Sequence, residues 1–197
     1  SNHWNKSKKL DKDQSYSGPG STTNSIQTNN LILELQKFFE ENNIKSILDA
    51  PCGDCAWIKK IFEMNIEYTG IDIVDDLMNK NKLTFKTYDN VKFYCKDLTE
   101  YNEFDGYDLV LMRDFFIHLP LPIIKKILEN LKESSCKYFA FNNYDGADLN
   151  KEISIGQHRK VNMLIEPFNL NMPYFKIQEI NNQNSPDEDN FIYIYKN

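Results

Sequence analysis

One short stretch, in which an apolar run ends in an acid and then crosses a tight turn, constrains the fold of this chain more than any other. Residues 45–49, with the sequence Lys-Ser-Ile-Leu-Asp, predict a strand, and Pro51 and Gly53 predict a turn directly after it. Apolar side chains then recur at helical spacing over residues 57–62, which predicts a helix that begins near Asp54. A strand, a loop and a helix N-terminus in this order form a cradle for a polar ligand, because the first N–H groups of a helix have no partner within it.

The rest of the chain continues this alternation of strands and helices. Further strands are predicted at residues 68–73, 91–96, 107–112 and 137–141, and helices at residues 30–42, 75–83 and 121–133. Residues 175–180 and 191–195 predict two strands joined by a polar turn, and adjacent strands joined in this way pair antiparallel. Because strands separated by helices pair in parallel, the expected fold is α/β, with a mostly parallel sheet that ends in a C-terminal antiparallel hairpin.

Length and composition favour one domain with an N-terminal arm. The chain has 197 residues, of which 41% are hydrophobic, and this is enough for one substantial core, which we assign to residues 30–197. Residues 1–29 are polar and rich in Ser, Asn and Thr, yet they include Trp4, Tyr16 and a Gly-Pro-Gly turn. We therefore expect an arm or lid that folds over a site rather than a loose tail.

Charge and hydropathy exclude several classes of function. The net charge is −6 and no basic run occurs, so a nucleic-acid partner is not expected. No apolar run approaches the length that spans a membrane, and no signal-peptide pattern is found, so we expect no membrane insertion and a cytoplasmic location. The four cysteines are too few for a secreted disulfide framework in a chain of this size.

Acidic residues repeatedly follow the predicted strands. Asp49, Asp72 and Asp97 end three of them, and the pair Arg113 and Asp114 ends a fourth. A single acid in such a place is more simply explained as a helix cap or a solvated strand end. Ligands of open α/β sheets bind outside the carboxyl ends of the strands, however, so four such positions in register favour one shared binding crevice.

The order and spacing of these motifs resemble the class I S-adenosylmethionine-dependent methyltransferases. The residues that carry the resemblance are the segments 46–55, 68–73, 96–98 and 107–113. The resemblance extends over residues 30–197 and implies a Rossmann-like class I methyltransferase fold, an enzyme, and S-adenosylmethionine as cofactor with S-adenosylhomocysteine as product. Two of the three glycines usual in the loop of that family are replaced here, by Pro51 and Cys55.

A narrower resemblance is to small bacterial methyltransferases that modify surface polysaccharides, including those around capsular O-methyl phosphoramidate. The shared motifs are Ser-Gly-Pro-Gly-Ser at 17–21, Asp-Ala-Pro-Cys-Gly-Asp at 49–54, Arg-Asp and His-Leu within 113–119, and Pro-Phe-Asn-Leu at 167–170. This resemblance implies O-methylation of a small acceptor in surface polysaccharide biosynthesis. The acceptor would be a saccharide, free or nucleotide-linked, or a phosphoramidate.

The resemblance also implies a role for each residue of the cofactor site. Asp49 would bind the ammonium group of the cofactor, Asp72 both ribose hydroxyls, and the main-chain carbonyl of Arg113 the methionine end. The loop backbone would contribute at Ala50, Pro51 and Gly53, and the adenine would contact Ile73, Asp97 and Leu98. A carboxylate suits a ribose diol because it accepts two hydrogen bonds, whereas it would repel the phosphate of NADP.

Asp114 and His118 are the candidates for catalysis at the acceptor, because a spacing of four residues puts them on one face of a helical turn. In one hypothesis His118 is the general base and Asp114 orients it. In the other, His118 only packs and Asp114 caps the following helix, and an acceptor that is already anionic would need no base. Weaker candidates for acceptor binding are Tyr16, Asn162 and Arg159, the last being either a phosphate clamp or a solvated loop charge.

Two other classes of function stay open. Cys52 and Cys55 form a Cys-x-x-Cys pair after a strand, the setting of a thiol oxidoreductase, although such a protein would be smaller and would not need Asp72 and Asp97. A non-catalytic nucleotide-binding protein would result if the two acceptor-side candidates took no part in chemistry. A metal site is not expected, because the histidines at 3, 118 and 158 are scattered and the other two cysteines are single. The expected partner is a small-molecule acceptor.

Overall fold

One seven-stranded sheet organises the computed structural model, which describes residues 21–22, 25–180 and 189–197. The strands are β1 (Ser46–Asp49), β2 (Glu67–Asp72), β3 (Val91–Cys95), β4 (Leu109–Met112), β5 (Tyr138–Tyr144), β6 (Phe175–Gln178) and β7 (Asn190–Lys196). Their order across the sheet is β3-β2-β1-β4-β5-β7-β6. Strands β1 to β5 pair in parallel, and β7 pairs antiparallel with both β5 and β6. This architecture confirms the predicted α/β fold, including the terminal hairpin.

Three α-helices accompany the sheet within the described residues: α1 (Ile26–Glu41), α2 (Asp75–Thr84) and α3 (Leu121–Glu133). Helix α1 starts before the predicted position 30, because the Ser25 side chain accepts the Thr28 N–H and so provides an N-cap. Residues 26–29, which we assigned to the arm, thus belong to the first turn of α1. Most of the arm, including Tyr16, lies outside the described residues.

The loop after β1 does not open into an α-helix near Asp54 as predicted. Gly53 and Cys55 have left-handed φ values of 56° and 55°, which an α-helix cannot include, and turns occupy the chain as far as Trp57. A short 3₁₀-helix (Ile58–Glu63) follows. The apolar spacing was nevertheless informative, since Ile58, Ile61 and Phe62 are buried.

Strand β5 is longer than the predicted 137–141. Asn142, Asn143 and Tyr144 continue it, because they pair with residues 190–192 of β7. The Asn142 side-chain amide donates to Asn190 Oδ1 at 3.0 Å, so this polar extension is satisfied where it is buried. A polar pair of asparagines gives no strand signal in the sequence, which is why the extension was missed.

Apolar layers cover both faces of the sheet and expose the ends of its strands. Alternate side chains of β1 point to opposite faces: Ile47 joins the cluster packed against α1, and Leu48 joins the cluster packed against α3. Burial on both faces is typical of parallel sheets. The carboxyl ends of β1, β2 and β4, which are neighbours in the sheet, therefore remain as the place where polar side chains can meet a ligand.

Within the described residues, no helix combines the length and the apolar character needed to cross a membrane.

Candidate active site

A cavity of about 190 Å³ lies at the carboxyl ends of β1, β2 and β4. The residues that line it are Ser21, Asp49, Pro51, Cys52, Gly53, Trp57, Asp72, Arg113, Asp114 and His118. The structure thus brings together candidates from both predicted halves of the site. Three carboxylates face one guanidinium, which makes the cavity more attractive to a cation than to an anion.

Asp49, the last residue of β1, is a fully buried carboxyl group in the cavity wall. Its Oδ2 accepts a hydrogen bond of 2.6 Å from the Tyr68 hydroxyl on the neighbouring strand β2. Burial raises the pKa of Asp49 to about 7, although the Tyr68 hydrogen bond and the Arg113 charge both lower it. The carboxyl group therefore titrates near neutral pH, and a cationic ligand would favour its charged form.

Asp72, the last residue of β2, ties the loop after β1 to the end of its own strand. Its carboxylate accepts the Gly53 N–H and the Val74 N–H, each at 3.1 Å. Burial raises the pKa of Asp72, and these N–H groups partly offset the effect. A carboxylate offers about four lone-pair positions, so two remain for a ligand that donates from two hydroxyls.

Arg113, at the end of β4, has a side-chain role that the sequence did not predict. The guanidinium is buried and forms two hydrogen bonds with Glu179, from Nε to Oε1 at 2.6 Å and from Nη2 to Oε2 at 3.0 Å. Its Nη1 donates to Ser21 Oγ at 3.2 Å, and the group lies 5.0 Å from the centre of the Trp57 ring. Burial alone would lower the pKa of Arg113, but Asp114 and Glu179 raise it, so the group stays charged.

The sequence did not predict Ser21 and Trp57 as lining residues of the cavity, nor Glu179 as the partner of Arg113. Glu179 lies 66 positions after Arg113 in the chain, and no local pattern connects the two. Its second oxygen also accepts from the Gln27 amide at 2.5 Å, so the ion pair joins α1 and the end of β6 to the cavity.

His118 closes a short 3₁₀-helix (Phe116–His118) and lines the cavity. Its Nδ1 lies 3.0 Å from the carbonyl oxygen of Gln157. Because a carbonyl only accepts, Nδ1 carries the proton in this hydrogen bond, and Nε2 keeps a lone pair that can take a proton. The His158 ring is a further neighbour, with ring centres 5.6 Å apart.

Asp114 does not orient His118 in the way the sequence predicted, since the Gln157 carbonyl does so. Asp114 has a left-handed φ of 55°, donates its N–H to Asn142 Oδ1 at 2.6 Å, and lies 3.2 Å from Arg113 Nη1. Burial raises the pKa of Asp114, and the Arg113 charge lowers it. The alternative role as a helix cap is also wrong, because Glu152 Oε1 accepts the first N–H of α3.

The predicted adenine contacts lie outside this cavity. Ile73 is 62% exposed and follows β2 directly. Asp97 is also exposed, and its carboxylate accepts from the N–H and the hydroxyl of Thr99 at 2.9 and 2.7 Å. Leu98 is buried in the core, as is Ala50, so each leaves only its main chain for a ligand. The structure therefore does not bring all four strand-ending acids into one crevice.

Two predicted acceptor residues have structural roles instead. Arg159 is buried, and its guanidinium donates to three main-chain carbonyls, so it is neither a phosphate clamp nor a solvated charge. The Asn162 amide donates to the carbonyls of Asp145 and Ala147 at 3.4 and 3.2 Å, which leaves no side-chain donor for an acceptor. The prediction for Tyr16 lies outside the described residues.

Comparison with known proteins shows what this chain is similar to. Residues 48–137, which run from β1 to the start of β5, match the family model of a methyltransferase domain. No curated protein sequence matches the chain.

Solved structures of methyltransferases share the fold of this chain at low sequence identity. The N-methyltransferase NodS from Bradyrhizobium japonicum, solved with S-adenosyl-L-homocysteine, has a TM-score of 0.66 at 13% identity, covering 88% of this chain and 89% of its own. An S-adenosylmethionine-dependent methyltransferase from Clostridium acetobutylicum has a TM-score of 0.62 at 12% identity, and the match covers 86% of this chain and 91% of that chain. The methyltransferase domain of a bacterial Hen1 has a TM-score of 0.63 at 13% identity, and the match covers 86% of this chain and 99% of that chain.

The Cys-x-x-Cys pair does not have the features of a redox site. Cys52 and Cys55 are both buried, and the two are free thiols. Burial raises the pKa of the Cys52 thiol, whereas a reactive thiol needs a lowered pKa and access to solvent. Cys55 Sγ instead lies 3.4 Å from the Tyr68 hydroxyl, so it belongs to the wall behind Asp49. Among the described residues, no cluster of three or more His, Cys, Asp or Glu side chains could hold a metal ion.

The cavity fits the cofactor of the methyltransferase class. S-adenosylmethionine presents a sulfonium, an ammonium group and a ribose diol. Asp49 and Asp72 offer buried carboxylates to cationic and hydroxyl groups, and Gly53 brings loop backbone to the same wall. The residues present therefore match the chemistry of this ligand.

Proposed function

We propose that this protein is an S-adenosylmethionine-dependent methyltransferase that transfers the methyl group of the cofactor to an oxygen of a small acceptor. The acceptor is a saccharide, free or nucleotide-linked, or a phosphoramidate used in surface polysaccharide biosynthesis. The observation that carries the proposal is that Asp49, Asp72 and His118 line one cavity, and that His118 Nδ1 lies against the Gln157 carbonyl oxygen. The polysaccharide role is supported only by the motifs at 17–21, 49–54, 113–119 and 167–170.

In this proposal the end of the sheet binds the cofactor. S-adenosylmethionine supplies a methyl group that is already activated for transfer. The Asp72 carboxylate accepts hydrogen bonds from the ribose hydroxyls and from the Gly53 N–H. The Asp49 carboxylate offsets the positive charge of the methionine end. Outside the cavity, the exposed Ile73 provides an apolar surface for the adenine, and the Asp97 carboxylate accepts a hydrogen bond from the adenine amino group.

The residues on the other side of the cavity bind and deprotonate the acceptor. His118 Nε2 takes the proton of an acceptor hydroxyl as the oxygen becomes nucleophilic, which requires the tautomer that the Gln157 carbonyl selects. Burial raises the pKa of the Asp114 carboxyl group, and the charges of Arg113 and His118 both lower it. Most of the acceleration comes from alignment of the acceptor with the methyl group and from exclusion of water.

The proposal places the reaction in the cytoplasm. Cys52, Cys55, Cys95 and Cys136 are all free thiols, and free thiols persist in a reducing compartment.

Transfer of a labelled methyl group to a panel of acceptors tests this proposal. The protein is incubated with methyl-deuterated S-adenosylmethionine and with nucleotide-linked sugars, free sugars, phosphoramidates and small metabolites, and products are identified by mass spectrometry. We expect label on an oxygen of one of the saccharide or phosphoramidate acceptors. Cofactor binding without transfer to any acceptor would instead support a non-catalytic nucleotide-binding protein.

A further inference from the structure

The turn that carries His118 has little internal support. Its 3₁₀-helix spans Phe116–His118, and its main chain contributes bonds from His118 N–H to Phe115 O at 3.0 Å and from Leu119 N–H to Phe116 O at 3.2 Å. Such short 3₁₀ segments have poorer hydrogen-bond geometry than an α-helix. The position of the His118 ring must therefore be fixed by other parts of the chain.

A loop at residues 151–159 supplies that support. The Gly156 N–H donates to His118 O, and the Arg159 N–H donates to Ile117 O, each at 3.0 Å. The Gln157 carbonyl accepts from His118 Nδ1 at the same distance. Loop and turn thus bind each other through three contacts around His118.

The Arg159 guanidinium binds main-chain carbonyls on both sides of His118 in the chain. Nη1 donates to Phe116 O at 2.8 Å, and Nη2 donates to Leu119 O at 2.7 Å. Nε donates to Lys151 O at 2.9 Å, which ties the start of the loop to its end. The residue is only 7% exposed, and the charge of the Glu152 carboxylate partly offsets the lowering of its pKa by burial.

A buried cation is costly unless polar groups satisfy it, and here main-chain carbonyls accept from all three nitrogens of the guanidinium. Burial lowers the pKa of Arg159, but arginine keeps its proton in proteins. A neutral residue would avoid this cost if filling space were all that was needed. The planar fork of the guanidinium reaches carbonyls in two directions at once, which a lysine ammonium cannot do from one point.

We propose that Arg159 is a positioning residue that locks the turn at 116–119 against the loop, so that the Gln157 carbonyl holds His118 with its proton on Nδ1 and its lone pair on Nε2. The use of that lone pair to accept a proton from the acceptor rests on the proposed function. The positioning itself is a property of the protein without ligand and can be measured on its own.

The test is the tautomer of His118, read by NMR of ring nitrogens in protein labelled with ¹⁵N-histidine, at a pH where the ring is neutral. The His118 signals are assigned by their loss in His118→Gln. We expect the Nδ1–H form to dominate in the wild type and a mixture of both forms in Arg159→Lys. Lys160→Met is the matched control, because Lys160 binds Asp189 at 3.0 Å and should leave the tautomer unchanged.

Activity provides a second result once an acceptor has been found. Arg159→Lys should lower kcat by about tenfold to a hundredfold, as expected for a misplaced catalytic group, while the Kd for S-adenosylmethionine changes by less than about twofold. A folded Arg159→Lys protein with the wild-type tautomer and kcat would overturn the proposal.

If Arg159→Lys does not fold, Gly156→Ala tests the same support and leaves the Arg159 side chain unchanged. Gly156 has a φ of 83° with open space around its Cβ position, so alanine strains the loop backbone without a clash. We expect this variant also to mix the two tautomers, and an unchanged tautomer would contradict the proposal. Absence of S-adenosylmethionine binding by the wild type would refute the proposed function, but it would not affect the tautomer result.

Discussion

The cofactor side and the acceptor side of the cavity are built in different ways. On the cofactor side, Asp49 and Asp72 are the last residues of neighbouring parallel strands, so sheet pairing alone puts them side by side. On the acceptor side, His118 sits on a short turn that residues about 40 positions later hold in place. The first kind of site follows from strand order, whereas the second depends on loops that only the complete fold brings together.

Substitutions on the two sides of the cavity should therefore have different effects. Under the proposed function, changes on the cofactor side should alter ligand affinity, because the carboxylates would contact the ligand directly. Changes on the acceptor side should alter turnover, because His118 would accept a proton there. Arg113 connects the two sides through Glu179 and Asp114.

The largest expected effect is on the acceptor side, in His118→Gln. Loss of the general base should lower the turnover of a hydroxyl acceptor by about 10² to 10⁴, whereas the Kd for S-adenosylmethionine should stay within about twofold. Initial rates and calorimetric titration measure the two quantities. An unchanged rate would show that His118 only packs, or that the acceptor is already anionic.

The next effect is on the cofactor side, in Asp72→Asn. Loss of a charge-assisted pair with the ribose should weaken S-adenosylmethionine binding by about 1.5–3 kcal/mol, or roughly tenfold to a hundredfold. Asp89→Asn is the control, since Asp89 is exposed and lies in the turn before β3, at the opposite end of the strands. Equal affinity in Asp72→Asn and the wild type would refute the ribose assignment.

A smaller effect is expected from pH through Asp49, whose pKa burial raises to about 7. A bound cation favours the charged carboxylate, so affinity for S-adenosylmethionine should increase by about tenfold as the pH rises from about 6 to 8. Asp49→Asn should remove most of this dependence while it keeps an acceptor for the Tyr68 hydroxyl. A pH dependence that persists unchanged in this variant would assign the titration to another group.

The same shift predicts the direction of the pH effect on stability. Between the ordinary carboxyl pKa of about 4 and about 7, the folded protein holds a proton on Asp49 that the unfolded chain has released. The free energy of unfolding contributed by this group therefore falls as the pH rises through that range. Denaturant unfolding of the wild type and Asp49→Asn at several pH values measures the difference.

The smallest effect is expected at the thiols. Of the four cysteines, Cys95 alone is exposed, so a thiol reagent should modify one group quickly in the native protein and the other three only on unfolding. We expect no reversible dithiol redox activity in the wild type, and therefore no loss of such activity in Cys52→Ser. Fast modification of both Cys52 and Cys55, with a reversible dithiol couple, would revive the oxidoreductase hypothesis.

Particular residues show what the sequence could predict. Asp49 and Asp72 line one cavity as the sequence predicted, because an acid after an apolar strand is a local pattern and parallel pairing puts such acids at the same edge of the sheet. The helix near Asp54 was wrong because the left-handed conformation of Gly53 and Cys55 overrides the apolar spacing that follows. Local pattern thus predicted the place of the cavity but not the exact backbone of the loop beside it.

The buried polar contacts could not be predicted from local pattern. Arg159 was a charge in a loop, and only the fold shows that it is buried and bound to carbonyls of Phe116 and Leu119, 43 and 40 positions earlier. Glu179 likewise became a partner of Arg113 only through the hairpin at the end of the sheet. Long-range pairs of this kind leave no periodicity in a single sequence.

A crystal structure of the protein with S-adenosylhomocysteine tests the central claim most directly. We expect the ligand in the cavity at the ends of β1, β2 and β4, with its ribose hydroxyls within hydrogen-bond distance of the Asp72 carboxylate and its sulfur on the side of His118. A ligand bound elsewhere, or a ribose that does not contact Asp72, would contradict the account.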